Sequence, residues 1–299
     1  MNFISMYDLT HEDITDILEK AEDLKERRKR GKTLDMLQNK SLAMLFEKPS
    51  TRTRVSFEVA MTSLGGHALY LNWQDLQIGR GELIKDTARA LSGYVDGVVI
   101  RGRHDVVTEF AKHASVPVIN ALTEIEHPCQ SLADLLTIYE FKKGFSGLKF
   151  GWIGDGNNVC NSSILAGALV GMNVVVACPK GYEPDEKIVS RARGLGVNVK
   201  ITHDPKEAAE DADVLYTDVW ASMGDEAQKE KRMHDFQGFQ INADIVKMAK
   251  DDVIVMHCLP AHRGEEITDD VLEGAHSAIF KQAENRLYAQ MALLVRVLG

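Results

Sequence analysis

Short apolar runs alternate with helical patterns along this chain, which predicts an α/β protein of two doubly wound parallel-sheet domains. The alternation breaks once, at Lys143-Gly144-Phe145-Ser146-Gly147, and then resumes. The length of 299 residues exceeds the usual size of a single core, so two domains of about 150 residues are expected.

The first domain, residues 1–143, opens with an amphipathic helix carrying Ile14, Ile17, Leu18, Ala21 and Leu24. It ends in the basic run Lys25 to Lys32, where cations suit the negative end of the helix dipole and are expected to be solvated. Ser41-Leu42-Ala43-Met44-Leu45-Phe46, bounded by Asn39-Lys40 and Pro49, reads as a buried strand. Helix 52–64 follows with Val55, Val59 and Leu64 in helical spacing, then strand 67–71, helix 83–93, strand 97–100, helix 105–114, strand 117–119 and a helix from Ser131 to Lys142. The second domain, 144–282, has strands near 148–153, 173–177, 197–201, 213–217 and 253–257. Its helices lie near 158–170, 185–194, 205–210 and 241–249, and a final helix, 283–298, is expected to dock back on the first domain. Ligands of open parallel sheets gather at the C-terminal strand ends, so the active site is expected in an interdomain cleft.

Composition narrows the function. The net charge of −9 opposes nucleic-acid binding, and no apolar stretch is long enough for a membrane span. The first residues lack the basic and apolar segments of a secretory signal, so a cytoplasmic location is expected. Cys129, Cys160, Cys178 and Cys258 lie far apart without C-x-x-C pairs, fitting reduced thiols. His127 with Cys129, and His257 with Cys258, do not have structural-zinc spacing, so no metal is expected. No cofactor is expected either. The segment Gly154-Asp155-Gly156 lacks the third glycine at residue 159, no ribose-binding carboxylate closes the next strand, and no P-loop motif is present.

The chemistry sits after the strands. In Phe46-Glu47-Lys48-Pro49-Ser50-Thr51-Arg52-Thr53-Arg54, hydroxyls and guanidiniums open a helix directly after a strand. The N–H groups of a first helical turn attract an anion by hydrogen bonds and by the dipole, and Arg52 adds bidentate charge. An ordinary capped helix with solvated arginines is the plain alternative. Arg101 follows strand 97–100, and His127-Pro128-Cys129-Gln130 follows strand 117–119. Such a set suits an anion that also carries a carbonyl, because an imidazole and a hydroxyl can donate to an oxygen that becomes negative during acyl transfer. Taken alone, a histidine after a strand is as often a structural cap.

Ser-Thr-Arg-Thr-Arg with a later His-Pro-x-Gln resembles the carbamoyl-phosphate signature of the aspartate/ornithine carbamoyltransferase family. The resemblance implies that Ser50, Thr51, Arg52, Thr53, Arg101, His127 and Gln130 hold carbamoyl phosphate, with Arg286 closing on the carbamoyl group. It also implies that Gln77 reaches the site of a neighbouring subunit, and hence a homotrimer with shared active sites. Asp218-Val219-Trp220-Ala221-Ser222-Met223-Gly224 resembles the element marking the ornithine-specific branch. There Asp218 and Ser222 would take the α-ammonium of L-ornithine, and Asn158 with the backbone at Met223 its α-carboxylate. His257-Cys258-Leu259-Pro260 resembles the family element whose sulfur and Leu carbonyl face the side-chain amine. A small buried cysteine is the commoner fate of such a residue. The implied reaction is attack of the neutral δ-amine on carbamoyl phosphate, with no covalent enzyme intermediate and with Arg52, Thr53, Arg101, His127 and Cys258 at the reacting groups. A protein that binds the anion without turnover is the non-catalytic alternative.

Overall fold

The structure is a computed structural model and describes residues 1–221 and 229–299. In chain order its elements are α1 (His11–Lys29), β1 (Ser41–Phe46), α2 (Thr51–Ser63), β2 (His67–Asn72), α3 (Ile84–Ser92), β3 (Gly97–Arg101), α4 (His104–His113), β4 (Val118–Leu122) and α5 (Pro128–Lys142). There follow β5 (Lys149–Ile153), α6 (Asn158–Leu169), β6 (Asn173–Ala177), α7 (Glu186–Arg193), β7 (Val199–Thr202), α8 (Pro205–Ala209), β8 (Val214–Thr217), α9 (Lys229–Asp235), α10 (Ala243–Val246), β9 (Ile254–His257), α11 (Asp269–Leu272) and α12 (Ile279–Leu298). Two compact units result, Met1–Leu136 with Glu284–Gly299, and Thr137–Ala283. The divisions fall inside α5 and α12, not at the Lys143–Gly147 breaker.

The first unit holds a parallel sheet of order β2-β1-β3-β4. Strands β1 and β3 are buried along almost their whole length, as expected of near-continuous apolar runs covered on both faces. Ala43, Leu45, Val98, Ile100, Phe110 and Val118 build a core on them. The chain steps from β1 to β2 on one side, then to β3 and β4 on the other, so strand order reverses between β1 and β3. Lys25 departs from the expected solvated run. Its Nζ is buried, donates to Asn285 Oδ1 at 2.6 Å and lies 5.3 Å from the Tyr288 ring, tying α1 to α12.

The second unit repeats the scheme with the order β7-β6-β5-β8-β9, which reverses between β5 and β8. Ile153, Val175, Leu215, Val255 and Phe236 share its core, and Trp152 stacks on Tyr216 at 5.0 Å. Gly151 is required by close packing, because a Cβ there would lie 2.3 Å from the Ala208 carbonyl oxygen of α8.

Three of the expected helices differ by more than two residues at an end, and α9 and α11 lie where no helix is expected. The helix expected at 241–249 is a single turn, Ala243–Val246, because the chain beyond it is taken up by tertiary bonds from Asp211 N to Met248 O and from Lys250 N to Ala212 O. Helix α5 starts at Pro128, not Ser131, using proline's preset φ at the first helical position. Helix α12 starts at Ile279, not Ala283. No described helix is long and apolar enough to cross a membrane.

Gly151→Ala is expected to destabilise the second unit by about 1–3 kcal/mol through overpacking. Urea unfolding measures this, and a midpoint equal to wild type would show that α8 yields without cost.

Candidate active site

The reversal of strand order between β1 and β3 leaves a crevice outside their C-terminal ends, where α/β sheets bind ligands. Both loops there carry predicted site residues. Leaving β1, the chain passes Glu47-Lys48-Pro49 to Ser50, the N-cap of α2, whose hydroxyl accepts from Thr53 N at 3.3 Å. The first turn contains no acidic residue, although acids ordinarily collect at that end of a helix. It offers Thr51, exposed, Arg52, half-buried, and Thr53, buried. The motif's other arginine is engaged elsewhere: Arg54 lies 3.8 Å over the Tyr70 ring and pairs with Glu58 at 3.0 Å.

Arg101 ends β3 and is buried. Its carbonyl accepts from Glu47 N at 2.8 Å, which holds the two loops together. His127 is buried just before α5, and its carbonyl accepts from Gln130 N at 3.0 Å. Gln130 is locked by donation from Nε2 to Asp134 Oδ1 at 2.8 Å, leaving Oε1 to accept from Arg286 Nη1 at 2.7 Å. Arg286, carried on α12, also donates from Nη2 to Thr53 Oγ1 at 3.3 Å. Thr53, Gln130 and Arg286 are thus joined across three helices. Gln77 opens the 3-10 turn Gln77–Arg80 and is exposed within its unit, and none of these hydrogen bonds reaches it.

The electrostatics fit this arrangement. His127 is held well below the usual imidazole range, first by burial and then by the charges of Arg286, Arg101 and Arg52. Three guanidiniums therefore act on one neutral imidazole. The neutral ring keeps one N–H donor and one acceptor nitrogen. Neighbouring Cys129 donates to Asn120 O at 3.3 Å and is pushed up to about 12 by burial, an inert thiol.

In the second unit, the loops after β5, β8 and β9 carry the corresponding set. Thr217 Oγ1 donates to Ile153 O at 2.6 Å and pins the ends of β8 and β5 together. Asp218, next in the chain, is buried and accepts from three donors: Val219 N at 2.8 Å, Asn157 Nδ2 at 2.8 Å and Cys258 Sγ at 3.0 Å. A carboxylate has about four lone-pair sites, so a rigidly oriented oxygen can still meet a cation. Asn158 is the first residue of α6. Leu259 has φ +60° and its N–H donates to His257 Nδ1 at 2.8 Å. Ser222 and Met223 lie outside the described residues.

Several residues of these sites escaped the sequence reading. Asn157 caps α6 by accepting from Val159 N and Cys160 N while its amide nitrogen holds Asp218; an Asn before a helical run signals the cap but not the second bond. His257 is a fully buried ring whose Nε2 lies 3.0 Å from Glu266 Oε1. With Nδ1 accepting from Leu259, Nε2 is the donor. Arg232 pairs with Asp155 at 2.8 Å and donates to Trp220 O at 2.8 Å. Nothing in local spacing announces either pairing.

Fold and site together define a two-unit α/β protein with an anion-handling cation cluster in one unit and a preset carboxylate–thiol pair in the other. The chain belongs to the aspartate/ornithine carbamoyltransferase family. Residues 1–140 match the family's carbamoyl-P binding domain and residues 146–297 its Asp/Orn binding domain. It is 59% identical to an ornithine carbamoyltransferase of Archaeoglobus fulgidus over 100% of this chain and 97% of that protein. An ornithine carbamoyltransferase of Pyrococcus furiosus described as anabolic is 55% identical, covering 100% of this chain and 96% of that one. A solved structure of ornithine carbamoyltransferase from Pyrococcus furiosus superposes with a TM-score of 0.96 at 55% identity, covering 100% of this chain and 97% of that chain. A second, from Thermus thermophilus, gives 0.91 at 45% identity, covering 100% and 99%.

Because the folded state resists protonating His127, the unfolded chain binds more protons below the ordinary imidazole pKa of about 6.5. The stability held by the neutral ring is complete above that pH and is lost as pH falls from it towards the folded value. Urea midpoints measured from pH 7.5 down to about pH 5.5 should therefore fall more steeply for wild type than for His127→Gln. Parallel slopes would contradict the assignment.

Proposed function

We propose that this chain transfers the carbamoyl group of carbamoyl phosphate to the δ-amine of L-ornithine, giving L-citrulline and phosphate. The observation that carries the proposal is the neutral, buried His127 under the charge of Arg52, Arg101 and Arg286, beside a helix N-terminus without acidic residues. A doubly charged acyl phosphate, whose carbonyl is reactive, suits that environment. Ser50, Thr51, Arg52 and the α2 N-terminus take the phosphate. Arg101, His127 and Thr53 donate to the carbamoyl oxygen, and Gln130 and Arg286 complete the grip on the group.

L-Ornithine belongs to the second unit in this reading. Asp218, with Ser222, takes the α-ammonium, and Asn158 and the backbone at Met223 take the α-carboxylate. The Cys258 sulfur and the Leu259 carbonyl orient the δ-amine. An alkyl ammonium has a pKa of roughly 10.4, so the reactive neutral amine must be favoured by a positive, desolvated environment. The amine then attacks the carbonyl carbon, charge builds on the carbamoyl oxygen, and the tetrahedral intermediate collapses by expelling phosphate. Positioning and charge stabilisation do the work, and neither a cofactor nor a metal is invoked.

The biosynthetic direction, towards arginine, is supported by the relative described as anabolic. We also assign the protein to the cytoplasm, consistent with free cysteines, and to a homotrimer in which Gln77 of each subunit serves a neighbour's site.

Purified protein given carbamoyl phosphate with ornithine, aspartate, putrescine or N-acetylornithine should form a ureido product and stoichiometric phosphate with ornithine alone. Arg52→Ala should lower turnover at least about a hundredfold, equivalent to about 2.7 kcal/mol of transition-state stabilisation. Product with another amine would overturn the role of Asp218, and near wild-type activity in the variant would overturn the anion site.

A further inference from the structure

We infer that Gln290 is a positioning residue that fixes the guanidinium of Arg286 for carbamoyl phosphate and couples it through Ser56 to α2. Gln290 lies one turn beyond Arg286 on α12 and is 1% exposed. Its amide orientation follows from chemistry. A guanidinium has only donors, so the amide oxygen must face Arg286, accepting from Nη2 at 2.8 Å and from Nε at 3.3 Å. The amide nitrogen then donates to Ser56 Oγ at 2.6 Å. Ser56 spends its one proton on Thr53 O at 3.2 Å and so presents a lone pair to that nitrogen.

A closed path results. Thr53 reaches Arg286 directly through its hydroxyl and indirectly through its carbonyl, Ser56 and Gln290. Gln130 holds Arg286 Nη1 at 2.7 Å. Gln290 engages Nε as well as Nη2, so it constrains the plane of the guanidinium as well as its place. An apolar side chain of equal length would leave two buried N–H groups without that acceptor. Hydrogen bonds to charged groups are among the stronger ones, and Arg286 would turn to find another. The hydrogen-bond partners of Gln290, Ser56 and Arg286, lie on α2 and α12, so ornithine recognition should be untouched. The inference rests on the role given above to Arg286.

The test compares full-length wild type, Gln290→Met and Ser56→Ala by steady-state kinetics with each substrate varied, together with unfolding midpoints and ligand-free crystal structures. Gln290→Met should raise KM for carbamoyl phosphate about tenfold, as expected from one charged hydrogen bond, and move Arg286 away from Gln130. KM for ornithine should stay within about twofold, with little change in midpoint. Ser56→Ala should raise the same KM by a smaller factor. The inference is overturned if carbamoyl-phosphate KM is unchanged with Arg286 still on Gln130 and Thr53, or if both KM values rise together as the midpoint drops. Should Gln290→Met not fold, an unchanged carbamoyl-phosphate KM in Ser56→Ala overturns it. A wild type that does not carbamoylate ornithine would defeat the functional reading instead, and the Arg286 position in the Gln290→Met crystal would still decide the positioning claim.

Discussion

Three guanidiniums gathered around one buried imidazole set the terms for the whole first unit. Like charges repel appreciably even at an effective dielectric of about 20, by about 4 kcal/mol for a pair at 4 Å, so the cluster must be held by structure. The hold comes from several directions. Arg101 is fixed by the ladder of β3, Arg52 by the capped first turn of α2, and Arg286 by Gln130, Thr53 and Gln290. His127 responds by staying neutral, which preserves it as a donor of directed hydrogen bonds. In the proposed function the anion would complete the cluster electrostatically, and binding energy collected from its phosphate would be available to orient its carbonyl.

The second unit reuses the same topology for opposite chemistry. In each sheet the strand order reverses beside the first strand of the unit. The three informative loops follow the first strand, its neighbour across the reversal, and the next strand out. In the first unit these supply Ser50 to Thr53, Arg101 and His127; in the second they supply Asn157 and Asn158, Asp218, and Cys258. The first set attracts an anion, whereas the second offers a buried carboxylate already held by three donors. A parallel sheet with a switch point dictates where ligands bind, and side chains decide what binds.

Much of this was legible in the sequence because strand runs and their following loops are local. The boundaries of β1, β6 and the start of α6 fall where the apolar pattern puts them, and every strand-end motif is short. What local pattern cannot express is partnership across the chain. Lys25 reads as part of a solvated basic tail but is paired with Asn285, and nothing in the sequence beside His257 announces its contact with Glu266. Gln290 carries no signal at all, since one polar residue on a helix face has many ordinary uses. The short α10 shows the same limit from the other side, where tertiary hydrogen bonds override a helical run.

Because the cation cluster lies wholly within the first unit, it should bind its anion without the amine. The most direct measurement is calorimetric titration of the protein with phosphonoacetamide, a stable stand-in for carbamoyl phosphate, in the absence of ornithine. Binding of about one molecule per chain that weakens as salt screens the site is the predicted result. No binding until ornithine is added would contradict the view that the anion site is complete without the amine.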